Sequence, residues 1–332
     1  MKKIGCLILL VLLVNGISAQ KIEILTDSVN ASLRGLSVVD DNIVWVSGSS
    51  GTVAKSLDAG KTWTWITVKG FEKTEFRDIE AFDKNTAVIM GITEPAQILR
   101  TEDGGQTWKV VFKDGSKGMF LDAMDFWNSQ NGIVIGDPIN GHFFIAKTFD
   151  GGKSWNELPQ QNLPLADTGE ACFASSGTNI RMLNKTKAVF ASGGLSAHIF
   201  IHNKKISIPI LQGKESTGAN SIAVNDKKTM IVVGGDFMKK DDTEKNCVIT
   251  TDGGVTWVSP KTSPTGYRSC VEYLAKNKWI TCGLNGVDIS NDNGINWNSI
   301  SEQSFHVCRK AKKGNAVYFA GNRGRVGRLI IE

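Results

Sequence analysis

The chain has 332 residues, a formal net charge of +5, 35 glycines, nine tryptophans and only seven prolines. Without Lys2 and Lys3 the charge is +3, close to balance, so the composition carries no nucleic-acid footprint. Glycine, tryptophan and β-branched residues in short runs indicate an all-β chain with many turns.

The first nineteen residues, MKKIGCLILLVLLVNGISA, combine a basic start, an apolar run and small residues before Gln20. This is the pattern of a secretory signal peptide cut after Ala19. The apolar run is too short for a membrane anchor, and no later stretch is long and apolar enough to span a bilayer. Cys6 lies inside the apolar run, too early for lipid attachment. The expected product is exported, periplasmic or extracellular, with residues 20–332 forming one domain. It begins with a strand-like segment, KIEILT, that has no repeat of its own.

The next elements repeat. The turns SLDAGKTW, TEDGGQTW, TFDGGKSW, TTDGGVTW and SNDNGINW place aspartates at Asp58, Asp103, Asp150, Asp252 and Asp292. Their spacings of 45, 47, 102 and 40 residues leave room for one degenerate copy in the long gap. A second marker, an apolar strand ending in glycine, recurs seven times, at Gly48, Gly91, Gly136, Gly193, Gly234, Gly283 and Gly321. Four short strands in about 45 residues make a propeller blade. Seven markers predict a seven-bladed β-propeller. Its last unit supplies only three strands, so KIEILT is expected to close the seventh blade. The fourth unit, near IFIHNKKISI (199–208), keeps its strands but lacks Asp, Gly and Trp.

The turn chemistry is structural on this reading. Aspartate accepts turn N–H groups, glycine supplies positive φ, and tryptophan packs between sheets. Calcium is the alternative, but one carboxylate per loop is too few ligands. The mature chain has five cysteines, Cys172, Cys247, Cys270, Cys282 and Cys308, an odd number at irregular spacing. No pair has zinc-ligand spacing. A hairpin near Lys276-Asn277 would set Cys270 opposite Cys282, where a cross-strand disulfide is one alternative to free buried thiols. The glycine-rich stretches follow strands but open no helix, so no dinucleotide cofactor is expected. The scattered histidines, His142, His198, His202 and His306, suggest no metal site. A monomer is expected.

The aspartate turn resembles the Asp-box, or BNR repeat, of sialidases and other propellers. FRDIEAF (76–82), GDPINGHF (136–143), GEACFASSGTNI (169–180), VGGDF (233–237), GYRSCVEY (266–273) and GLNGVDISNDNGINW (283–297) make the chain similar to the photosystem II stability/assembly factor-like group of secreted propellers. That resemblance implies a non-enzymatic assembly factor whose arginine-rich face engages client proteins. Sialidases resemble the chain only in the Asp-box. Their six blades, arginine triad and Tyr–Glu pair are not matched by seven units and three tyrosines, Tyr267, Tyr273 and Tyr318.

Propeller topology then predicts a site. Residues after the glycine-ended strands (Asp137, Asp236, Arg323) and at the entries to innermost strands (Arg34, Arg77, Glu170, Arg268, His306) should ring one channel mouth. Asp78 and Asp122 should sit just inside, with the aspartate turns on the opposite face. Two functions compete with a merely structural, solvated channel. In the first, the protein binds an envelope protein client, with Arg77 and Arg268 gripping a carboxylate. In the second, an enzyme acts on a glycan or small polar ligand, with Glu170, Asp236 and Asp137 as acid–base groups.

Overall fold

The computed structural model describes residues 20–331 apart from 94, 202, 203 and 227; the expected signal peptide and His202 lie outside them. Among the described residues the strands form seven sheets. Blade 1 runs Leu33–Val38, Val44–Gly48, Thr52–Ser56 and Thr64–Thr67, from the innermost strand outward. Blades 2, 3 and 6 repeat it with innermost strands Phe76–Ala81, Leu121–Phe126 and Cys270–Ala275. The second strands Val44–Gly48 and Ala87–Gly91 are buried throughout. They lie inside a sheet stacked between neighbours, so they read as continuous apolar runs.

The ring closes as expected. Gln20–Thr26 pairs antiparallel with Val326–Ile331, with Gln20 opposite Ile331 and Ile24 opposite Gly327. It becomes the outermost strand of blade 7, whose other strands include Val307–Lys310 and Val317–Ala320. Blade 4, with strands Ile180–Met182, Ala188–Ala191, His198–Ile201 and Lys204–Ser207, keeps the strands of the degenerate copy. Blade 5 has three of the usual four strands, Thr217–Val224, Met230–Asp236 and Cys247–Thr250, and the short strands Gly193–Gly194 and Glu170–Ala171 extend its sheet beyond Thr217–Val224. Its fourth is reduced to one bridge, Ile249 to Val258.

The five turn tryptophans fill the wedges between blades. Trp108 packs in the core shared by blades 1 and 2, with Trp45 and Ile89. Trp155, Trp257 and Trp297 do the same between blades 2 and 3, 4 and 5, and 5 and 6. Trp63 packs where blade 1 meets blade 7. Blade 4 contributes no turn tryptophan, and three phenylalanines fill its wedge against blade 3. Phe190 and Phe200 stack at 4.4 Å between centroids, with Phe143 edge-on to both.

Side chains also tie blade to blade near the axis. The Ser37 hydroxyl accepts the Ala81 N–H, Asp78 the Met124 N–H, Asp125 the Met182 N–H and Ser221 the Val271 N–H. Ser269 donates to the His306 carbonyl.

The centre is not one continuous channel; a polar cavity of about 500 Å³ lined by Ser37, Glu80, Asp125, Arg181, Glu272 and Arg309 occupies the end away from the predicted site. The segment 172–179, inside the GEACFASSGTNI motif, crosses the axis. The Ser175 carbonyl accepts from Arg34 of blade 1, and Ser176 donates to the Ser269 carbonyl of blade 6. The Gly177 carbonyl accepts from Arg309 of blade 7, and Thr178 donates to Ser221 of blade 5. A chain crossing a crowded axis needs a residue without a side chain. Gly177 has φ 62°, and a Cβ there would lie 2.3 Å from the Asp78 carboxyl carbon.

The hairpin turning at Lys276 sets Cys270 directly opposite Cys282. No disulfide joins them; all five thiols are free and buried. Directly opposed strand positions do not suit disulfide geometry.

Gly177→Ala combines left-handed strain with a clash and should destabilise the fold by about 2–4 kcal/mol. Gly115→Ala, where a Cβ meets nothing within 4 Å, is the neutral control. The check is the urea midpoint at unchanged m-value.

A polar cup at one mouth of the ring

One local irregularity builds the site. In blades 1, 2, 3 and 5 the innermost strand carries a bulge near its start, between Leu33 and Gly35, Phe76 and Asp78, Leu121 and Ala123, and Ala219 and Ser221. The extra residues are Arg34, Arg77, Asp122 and Asn220. A bulge leaves one residue out of the ladder and re-aims its side chain. In blades 6 and 7, Ser269 and His306 hold the equivalent place, just before the first ladder pair. All six side chains line one cup of about 420 Å³. Segment 171–175 forms part of its lining, and Phe120, Phe173, Phe237 and Leu284 supply apolar wall.

The cup is electrostatically mixed. Arg77 is held by Glu75, at 2.8 Å through Nε and 2.6 Å through Nη2. Burial, then the Arg77 charge, lowers the Arg34 pKa. Asp122 is fully buried, with the Ala174 N–H as the backbone donor that favours its charged form. Burial and then neighbouring Asp137 push its pKa well up, against Arg77 and that N–H. Burial raises Asp137 to about 6 against the N–H of Cys172, which it accepts at 3.0 Å. Burial, with Arg34 next, lowers His306 to about 4, so its ring is neutral at pH 7. Tyr267, pushed up to about 12 by burial, donates to Asn220.

Of the residues chosen from sequence, Arg34, Arg77, Asp122, Asp137 and His306 meet in this cup. Four others do not. Arg268 is wholly buried inside blade 6, where it pairs with Asp288 and donates to Thr265. Adjacent strand positions face opposite ways, so Ser269 reaches the cup and Arg268 does not. Glu170 is buried at blade 4, bonded to Ser192, His198 at 2.9 Å and Lys205 at 2.9 Å. Burial opposes its ionisation, but His198 and the other donors hold its pKa at about 2. Asp236 is buried and caps its own turn by accepting the Met238 N–H. Arg323 is exposed, in a left-handed conformation, facing Asp27 at 3.6 Å. Asp78 sits deeper, packed on Gly177.

Sequence reasoning named neither Asn220 nor Ser269. A signal for them existed. Arg34, Arg77, Asp122, Asn220 and Ser269 each precede the glycine of the next strand by 14 residues.

The aspartate turns lie away from the cup. Their Ala59, Gly104, Gly151, Gly253 and Asn293 N–H groups bond to the turns that leave the innermost strands, at Asn42, Asn85, Gln130, Lys228 and Asn277. Within each turn the strand-end hydroxyl donates to the aspartate at 2.8 Å. In four turns the later Thr or Ser hydroxyl donates at 2.6 Å. In the fifth, the Asn296 amide takes that place. The threonine hydroxyl, then the threonine N–H, hold Asp58, Asp103 and Asp252 at about 2.

Fold and mouth together define a seven-bladed β-propeller with a polar cup at one end of its axis. No family model matches the chain. It is similar to the photosystem II assembly lipoprotein Ycf48 of Synechococcus sp. (strain CC9902), at 23% identity over 145 residues. That stretch is 42% of this chain, and it spans only 41% of the relative. In fold the chain is similar to Ycf48 bound to D1 peptide, with TM-score 0.62, 16% identity and 96% of both chains covered. It is also similar to Ycf48 from Cyanidioschyzon merolae, at TM-score 0.64 and 14% identity over 93% of this chain and 98% of that one. The WD40 propeller domain of Doa1 matches at 0.62 and 14% over 95% and 98%. The resemblance to the photosystem II assembly factor group thus holds in sequence and in fold.

Two pH effects follow. Asp137 carries its proton below about pH 6, so affinity for a carboxylate ligand should rise about fivefold between pH 7 and 5. Calorimetry on wild type and Asp137→Asn checks this; the variant should lose the dependence. The lowered turn aspartates contribute stability that is present above pH ~4 and lost as pH falls towards about 2. Asp58→Asn, Asp103→Asn and Asp252→Asn combined should flatten that acid limb in denaturation measured against pH.

Proposed function

We propose that this protein is an exported, non-enzymatic binding propeller that assembles or stabilises a protein complex of the cell envelope, and that the cup binds a segment of the client. The observation that carries this reading is the convergence of four bulge residues, two of them arginines, with Ser269 and His306 on one cup backed by the chain's own crossing segment. Arginine favours carboxylates and backbone carbonyls because its planar fork donates two parallel hydrogen bonds. The apolar wall offers burial to a neighbouring side chain. The structure of Ycf48 bound to D1 peptide supports a polypeptide as the ligand class. Export is supported by the signal pattern of residues 1–19.

The enzyme reading gains no specific support. Of Glu170, Asp236 and Asp137, only Asp137 reaches the cup.

A pull-down from envelope extract should enrich one protein with wild type and lose it with Arg34→Ala and Arg77→Ala combined. Against the isolated client segment, each single substitution should weaken binding about 10–100-fold, as loss of a charge-assisted contact does. Asp58→Asn, on the far face, should bind normally. Unchanged capture by the double variant would sink the cup as the binding site, and fractionation with N-terminal sequencing tests export.

A further inference from the structure

We infer that Cys270, Cys282 and Cys308 form a buried three-thiolate site for one thiophilic d10 cation, Zn(II) or Cu(I). The three sulfurs lie within 4.8 Å of one another, and the Cys270 and Cys308 sulfurs are 3.7 Å apart. An ion about 2.3 Å from each sulfur holds them about 3.8–4.0 Å apart, so little movement is needed. Thiolates select these soft ions over hard ones.

Three strands supply the ligands. Cys270 comes from the innermost strand of blade 6, Cys282 from the strand beside it, and Cys308 from the innermost strand of blade 7. The ion would join blades 6 and 7, a wedge to which blade 7 brings no turn tryptophan. None of the three residues has exposed surface, so an ion there is enclosed.

Without metal, the thiols satisfy themselves weakly. Cys308 donates to the Cys270 sulfur, and Cys270 to the Cys308 carbonyl at 3.3 Å. On loading, each thiol gives its proton to solvent as its sulfur–metal bond forms, and no electron moves. A compensating positive charge is at hand. Arg309 follows Cys308 in the chain, is only partly exposed, and faces Glu272 at 3.6 Å.

The test refolds residues 20–332 with Zn(II), with Cu(I), or with Cd(II) as a spectroscopic probe. After passage over a chelating resin, metal is counted by mass spectrometry and the thiolate-to-cadmium ultraviolet band is recorded. The expected result is one ion per chain; whichever of Zn(II) or Cu(I) survives the resin identifies the native ion. Cys270→Ser, Cys282→Ser and Cys308→Ser should each lose at least about tenfold in retained metal. Cys172→Ser and Cys247→Ser should retain it. Circular dichroism selects folded variants, with Cys308→Ala as the substitute for any that fail. The site is overturned if wild type retains no ion, if retention survives those substitutions, or if protein isolated from cells carries a Cys270–Cys308 disulfide.

Discussion

The pairing of Gln20–Thr26 with Val326–Ile331 is the contact on which the rest depends. A ring of sheets has a first and a last blade, and each would otherwise present an open edge or an unfilled wedge. Completing blade 7 with the other end of the chain removes both problems. It also fixes the angle between blades, because seven sheets must then share one turn of the axis. The wedge between each pair becomes a set volume to be filled. Five turn tryptophans, a phenylalanine trio and the packed core at blades 6 and 7 fill it.

That rigidity gives the bulges their effect. One extra residue near the start of an innermost strand has little consequence in an isolated hairpin. Repeated in four blades of a closed ring, it points their side chains at one place, where Ser269 and His306 of blades 6 and 7 join them. The crossing segment backs that place, so what could have been an open channel becomes a cup at one end. The bonds that Ser175, Ser176, Gly177 and Thr178 make to four different blades hold it there. The mixture of buried acids and arginines follows. Burial and the nearby Asp137 push the Asp122 pKa up. Arg34 keeps its charge beside the Ser175 carbonyl.

Part of this site was legible in the chain. Arg34 and Arg77 could be placed because topology sends every strand entry to one mouth. Arg268 could not be separated from Ser269, because a one-residue change of register moves a side chain to the opposite face. The constant 14-residue interval to the next strand's glycine resolves that ambiguity, and it also reveals Asn220. Glu170 has no such cue. Its environment depends on Lys205, His198 and Ser192, which lie 22 to 35 residues away and meet it only because blade 4 is atypical.

By itself the sequence determined the repeat, the number of blades, the closing strand and the work of each aspartate turn. These are local matters: a turn's hydrogen bonds and a strand's apolar run are written in consecutive residues. Only the tertiary structure decided that a loop crosses the axis, that Asp122 is buried near Asp137, and that three cysteines with no regular spacing come together. Each of these depends on contacts between distant segments, and those distances exist only once the ring has closed.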